Sequence, residues 1–152
     1  MKDPKCGYCM GGEILAGFGI RICDLRVSQL ILFKEQSKPG RVIVAYKDHV
    51  SELVSITEEE RNLFMADVCQ AGNALHKAFH PNKVNYGAYG DTGCHLHMHL
   101  VPKYEGGDEW GRRVPDEPRQ GLPHRGRIHP NDPKDQGQSV MALGACDHAP
   151  IL

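Results

Sequence analysis

Three features of the sequence predict an α+β fold in which one antiparallel sheet carries a single main helix. Short apolar and β-branched runs lie between residues 18 and 46, separated by turn chemistry. One long helical pattern, opened by a capping box, runs from residue 57 to residue 80. Within residues 94–102 polar and apolar residues alternate as far as Leu100, the period of a strand buried on one face. At 152 residues a single domain with a real core is expected.

The elements follow in chain order. Cys6 and Cys9 form a Cys-x-x-Cys knuckle beside Gly7, Gly11 and Gly12, able to turn two thiolates toward one ion. Phe18 to Leu25 alternates weakly and Gln29 to Lys34 is a compact apolar run, so both are read as strands. Ser37-Lys38-Pro39-Gly40 is a turn, with Pro fixing φ and Gly free to enter the left-handed region. Arg41-Val42-Ile43-Val44-Ala45-Tyr46 is β-branched and has the character of a central strand. His49 follows near the end of the sheet. In Thr57-Glu58-Glu59-Glu60 the hydroxyl caps the backbone and Glu60 reaches back; Phe64, Val68, Ala71, Leu75 and Ala78 then form one apolar stripe against the sheet, until Pro81 ends the helix. His76 and His80 suit the negative end of the helix dipole. Gly72 costs about 1 kcal/mol relative to Ala inside a helix, which points to close packing there, against a second subunit.

The alternating stretch Cys94-His95-Leu96-His97-Met98-His99-Leu100-Val101-Pro102 carries the chemistry. Its period of two sends Leu96, Met98 and Leu100 into a core and sets His95, His97 and His99 in a row about 7 Å apart on the other face. Core packing does not ask for three adjacent titrating groups. The central imidazole is the best candidate nucleophile, because its neighbours and nearby carbonyls can fix its tautomer and leave one ring nitrogen bare. The approach, Asn85-Tyr86-Gly87-Ala88-Tyr89-Gly90-Asp91-Thr92-Gly93, has three glycines that allow close backbone approach and side chains able to bond phosphate oxygens. A metal site built from all three histidines is disfavoured, since neighbours along one strand stand too far apart to meet one ion at about 2 Å.

Asn85-x-Gly87, Gly90-x-Thr92 and His95-x-His97-x-His99 followed by two apolar residues together resemble the histidine triad family of nucleotide hydrolases and transferases. With the preceding elements the resemblance covers residues 4 to about 111. It implies a HIT-like catalytic domain over 1–111 and a homodimer that acts on a nucleotide substrate. His97 would form a nucleotidyl-histidine, His95 and His99 would support it, and Asn85, Gly90, Thr92 and His99 would contact phosphate or ribose. In zinc-bearing members the positions of Cys6, Cys9, His49 and His95 hold a structural Zn²⁺. Many relatives have Gln where this chain has Asp91, a carboxylate beside the phosphate path, and it is given no role. His99 favours hydrolysis, since related uridylyltransferases have glutamine there. The alternatives are a nucleotidyltransferase and a zinc-stabilised nucleotide-binding protein without turnover.

The whole chain limits the partners. A formal charge of −1 with interspersed Lys and Arg gives no footprint for nucleic acid, so an anionic ligand would have to be held locally. No stretch reaches membrane-spanning length and the first residues lack the apolar run of a signal peptide, so the cytoplasm is the expected location. Six cysteines could be a disulfide framework, but the placement of Cys6 and Cys9 favours metal, and Cys23, Cys69, Cys94 and Cys146 are read as scattered small side chains.

Past Trp110-Gly111 the character changes, and residues 112–152 read as an irregular, disordered tail rich in Pro and Gly. Codons allowed for residues 111–118, taken one base forward, admit Gly-Gly-Val-Phe-x-Met-Asn-Pro, close to what family members carry after Trp-Gly. Continued through residues 119–137, the shifted frame admits a Thr-x-x-Glu capping pattern followed by apolar residues at helical spacing. The tail is therefore expected to be frameshift-derived, with no catalytic meaning for its histidines. Sequencing the coding DNA checks this: shifting the frame after the Trp110 codon should yield the family-like ending, and an early stop there ends the idea.

Overall fold

A computed structural model of the chain describes residues 2–91, 93–107 and 110–111. The expectations for Thr92 and for the tail 112–152 lie outside the described residues. The elements are α1 (Gly7–Met10), α2 (Gly12–Phe18), β1 (Gly19–Asp24), β2 (Ser28–Phe33), β3 (Val42–Tyr46), α3 (Glu58–Phe79), β4 (Lys83–Gly87) and β5 (His97–Lys103), with a single 3-10 turn at Leu53–Ser55. Each neighbouring pair of strands is antiparallel, in the order β1-β2-β3-β5-β4. The α+β class, the one sheet and its main helix are as the sequence predicts. No described helix is long and apolar enough to cross a membrane.

Period-two alternation explains why β2 and β3 are buried on both faces. One set, Leu30, Leu32, Val42, Val44 and Tyr46, joins Leu96 and Leu100 beneath Phe64, Val68, Ala71 and Leu75 of α3. The other set, Ile31, Ile43 and Ala45, packs with Leu15 of α2 and the rings of Tyr8, Phe18 and Phe33. The N-terminal helices thus cover the sheet face that α3 leaves open. Gly11, at φ +64°, lets the chain reverse between α1 and α2, and Gly40, at φ +85°, closes the turn before β3 as expected.

Helix α3 begins with the full reciprocal capping box of Thr57 and Glu60. Its Gly72 meets this chain's own sheet: an added Cβ would stand 2.6 Å from the Tyr86 hydroxyl on β4. The last strand differs from expectation by starting at His97 rather than Cys94. Cys94 takes a φ of +21°, which interrupts extended backbone, and residues 94–96 approach β5 as a bend.

A buried carboxylate that the apolar pattern gives no hint of locks α3 to the β1–β2 hairpin. Asp67 is fully buried and accepts from the backbone N–H of Arg26 at 3.2 Å and of Val27 at 3.0 Å, from the Ser28 hydroxyl at 2.7 Å, and from the Arg26 guanidinium at 3.1 Å. Asp67→Ala would leave the buried Ser28 hydroxyl and the part-buried N–H groups of Arg26 and Val27 without this acceptor. The variant should lose about 3 kcal/mol of unfolding free energy in a urea titration, and a loss under about 0.5 kcal/mol would show that the lock is not needed.

Candidate active site and metal centre

Strand β5 is paired on both edges, which places its side chains firmly. His99 lies opposite Ile43 of β3 and Gly87 of β4, and His97 lies opposite Ala45. Both imidazoles share the face of Ile43 and Ala45, away from α3, while Leu100 faces the α3 core and Met98 packs partly against it. The rings of His97 and His99 stand 5.1 Å apart, centroid to centroid, nearly edge to face. His97 Nδ1 lies 2.6 Å from the His95 backbone carbonyl. A carbonyl can only accept, so Nδ1 carries a proton, and in the neutral ring the lone pair is on Nε2. His99 Nδ1 lies 3.4 Å from a guanidinium nitrogen of Arg41.

His95 turns to a different task. Its Nδ1 is 3.4 Å from Cys6 Sγ, 3.6 Å from Cys9 Sγ and 3.3 Å from His49 Nδ1, and His49 Nδ1 is 3.3 Å from Cys9 Sγ. A tetrahedral ion held by thiolate at about 2.3 Å and imidazole at about 2.0 Å has S···N edges of about 3.5 Å and N···N edges of about 3.3 Å. Four of the six donor–donor edges therefore have the spacing of a tetrahedral metal shell, and all four donors lie within 4.8 Å of one another. Their outer contacts agree with that. His95 Nε2 donates to the Tyr46 carbonyl at 2.8 Å, which fixes the tautomer whose Nδ1 lone pair points among the thiols. Burial lowers the His95 pKa, the neighbouring His49 and His97 act the same way, and the bond to the Tyr46 carbonyl opposes them; the net shift favours the neutral form that metal ligation requires. The Asp3 carboxylate lies 3.8 Å from His49 Nε2, on the side away from the cluster. Burial also pushes the Cys9 thiol up, an effect that a cation at the centre of the shell would reverse.

Tyr8, between the two cysteines in α1, stacks on both histidines, its ring 5.0 Å from His95 and 5.0 Å from His97. A cleft of about 730 Å³ opens beside it, with Ile14, Phe18 and Phe33 as an apolar wall and His97, His99, Tyr89 and Asp91 on the polar side. A smaller cavity of about 280 Å³ adjoins it, sharing His99 and Tyr89 and lined also by Arg41, Lys83 and Asn85. Among the residues expected to meet phosphate, Asn85 on β4 faces this smaller cavity, and Gly90 stands in the exposed turn between Tyr89 and Asp91.

Tyr8, Phe33, Tyr89 and Arg41 were not among the expected site residues. For Tyr8 the signal was its place inside the knuckle. For Arg41 it was the alternation with Ile43 and Ala45, which puts it on the histidine face once β3 and β5 are paired.

The HIT domain family matches residues 25–106. Among solved structures, a histidine triad protein from Marinobacter aquaeolei superposes with a TM-score of 0.69 at 20% identity, covering 90% of this chain and 94% of that one. A histidine triad protein from Bradyrhizobium japonicum gives 0.67 at 20% identity over 87% and 92% of the two chains. A hypothetical histidine triad nucleotide-binding protein from Sulfolobus tokodaii gives 0.58 at 18% identity over 82% and 83%. No curated protein matches the sequence significantly. These likenesses share the fold described above, and with more than half of its length matched by the family, the chain belongs to the histidine triad family.

Proposed function

We propose that this chain is a nucleotide hydrolase that cleaves a phosphoanhydride or phosphoramidate bond through a nucleotidyl-histidine on His97, with dinucleoside polyphosphates or nucleoside phosphoramidates as substrates. One observation carries this reading: the 2.6 Å contact of His97 Nδ1 with the His95 carbonyl assigns the lone pair of the neutral ring to Nε2, on a residue that lines a cleft large enough for a nucleotide. The apolar wall of Ile14, Phe18 and Phe33 suits a nucleobase. Asn85, Gly90, Thr92 and His99 are proposed to meet phosphate or ribose.

In the first step the Nε2 lone pair of His97 forms a bond to the α-phosphorus as the bond to the leaving group breaks, and the leaving group departs with that electron pair. Water then attacks the same phosphorus. The P–N bond electrons return to Nε2, the monophosphate leaves, and the proton lost by water goes to solvent. Cys6, Cys9, His49 and His95 would hold Zn²⁺, which would supply structural closure of the N-terminal segment onto the sheet. His95 then has two duties, with its side chain in the metal shell and its carbonyl on the nucleophile. The protein is proposed to work in the cytoplasm as a homodimer, without nucleic-acid or membrane partners.

Asp91 favours a second reading. Its carboxylate lines the cleft, where it would repel a phosphate, and this suits a zinc-stabilised protein that binds nucleotide without turnover. A nucleotidyltransferase would use the same intermediate with a sugar phosphate in place of water. Incubation with a labelled nucleoside phosphoramidate separates the three: the parent should release nucleoside monophosphate, and His97→Ala should be slower by at least about a thousandfold. Calorimetric binding without release would overturn hydrolysis in favour of the binder, and label appearing on an added sugar phosphate would favour the transferase. Elemental analysis should find one zinc per chain, and its removal by a chelator should lower the melting temperature by at least about 10 °C. A zinc-free protein with unchanged melting would sink the structural role.

A further inference from the structure

Arg41 is 1% exposed and its neighbours along the face are Ile43 and Ala45, so core packing alone does not explain a guanidinium there. Its backbone is held on both sides. The Arg41 N–H donates to the Lys38 carbonyl at 3.2 Å, and its own carbonyl accepts from Phe33 N–H at 3.2 Å and from Gln36 Nε2 at 2.7 Å. The guanidinium carbon lies 4.5 Å from the centre of the Phe33 ring, and Nη1 is 3.2 Å from Glu35 Oε2. A π face and a carboxylate thus offset the desolvation of the cation, while Nη2 reaches His99 Nδ1 at 3.4 Å. Phe33 also meets His99 edge to face at 5.5 Å, so both rings and the cation form one packed unit.

A guanidinium carries only donors and keeps its charge at any working pH. Toward Arg41, therefore, His99 Nδ1 can only accept, and the proton of the neutral ring stands on Nε2. His97 is held the opposite way, with its proton on Nδ1 toward the His95 carbonyl. Two rings 5.1 Å apart thus carry complementary tautomers, one ending in a lone pair and the other in an N–H. We infer that Arg41 is a positioning residue that acts through His99, holding it as the Nε2–H tautomer so that the cleft has a fixed hydrogen-bond donor beside the nucleophile. The tautomer rests on geometry alone, and its catalytic consequence rests on the hydrolase reading. As His97 bonds to phosphorus, the His99 N–H donates to a phosphoryl oxygen on which charge grows, and keeps its proton.

The test uses the full chain with its metal, labelled with ¹⁵N-histidine. Long-range ¹H–¹⁵N spectra at about pH 8, where imidazoles are neutral, tell which His99 nitrogen carries the proton. The parent should show Nε2–H, and Arg41→Lys, which keeps a donor, should retain it. In Glu35→Gln/Arg41→Met, where no carboxylate is left unpaired, the Nδ1–H form should become populated. With a nucleoside phosphoramidate, kcat of that double variant should fall about 10- to 100-fold while KM changes less than about threefold, and Glu35→Gln alone should keep the parent tautomer. A parent His99 protonated on Nδ1 overturns the inference, as does a folded double variant with unchanged tautomer and kcat. Should the double variant fail to fold, the parent and Arg41→Lys spectra decide. A parent that turns over no nucleotide defeats the hydrolase reading, and the spectra still judge Arg41.

Discussion

Because β5 is hydrogen-bonded to β3 along one edge and to β4 along the other, residues 97 and 99 cannot turn to a different face without breaking two ladders at once. A one-residue slip would drive both imidazoles toward α3 and put Met98 in the cleft. Such a slip would bury two imidazoles in the cluster that now holds Leu100, Val68 and Leu75, with no partners there for their ring nitrogens. Register is therefore specified by the apolar set on one face, and the chemistry on the other face inherits that precision. Helix α3 touches neither histidine face, yet its stripe of Phe64, Val68, Ala71 and Leu75 enforces where His97 and His99 stand.

The Cys/His cluster and the proposed nucleophile meet in one residue. The His95 side chain joins Cys6, Cys9 and His49, and its carbonyl accepts from His97 Nδ1 at 2.6 Å. Displacing the cluster would thus disturb the backbone on which the tautomer of His97 depends. Tyr8 adds a second link, since α1 carries it between the two cysteines and over both rings. The knuckle, Tyr8, Ile14 and Phe18 all precede residue 25, where the family match begins, so much of the cleft lining comes from the segment ahead of it, and Phe33 completes the apolar wall from within the match.

What was legible in the sequence was whatever had a long period or a local chemical rule. The capping box and stripe of α3, the β-branched run of β3 and the histidine alternation are of this kind, and so is the knuckle with its spacing of two. Strand β4 was hidden because Lys83-Val84-Asn85-Tyr86-Gly87 has little β-propensity, and its extended state comes from pairing with β5. Helices α1 and α2 span 4 and 7 residues, too short for a 3.6-residue period to register among their glycines. Alternation continues through Cys94, so the sequence reads it as strand, whereas its positive φ is set by the three-dimensional structure. Asp67 escaped because a carboxylate on a helix ordinarily reads as solvated, and only the hairpin it receives shows otherwise.

Each imidazole in the cleft is oriented by a group whose protonation does not change. For His97 it is a peptide carbonyl, which accepts at every pH, and for His99 a guanidinium, which always donates. Had two titrating side chains filled these places, the pair would drift among several proton arrangements, and only a fraction of molecules would hold the lone pair and the N–H together. Fixed partners remove that dispersion. The cost lies in burying Arg41, which Glu35 and Phe33 offset within the folded state before any ligand arrives. Under the proposed hydrolysis, reorganisation that would otherwise accompany the chemical step is thereby completed during folding, and the same sheet register that buries the core also sets the polarity of the two rings.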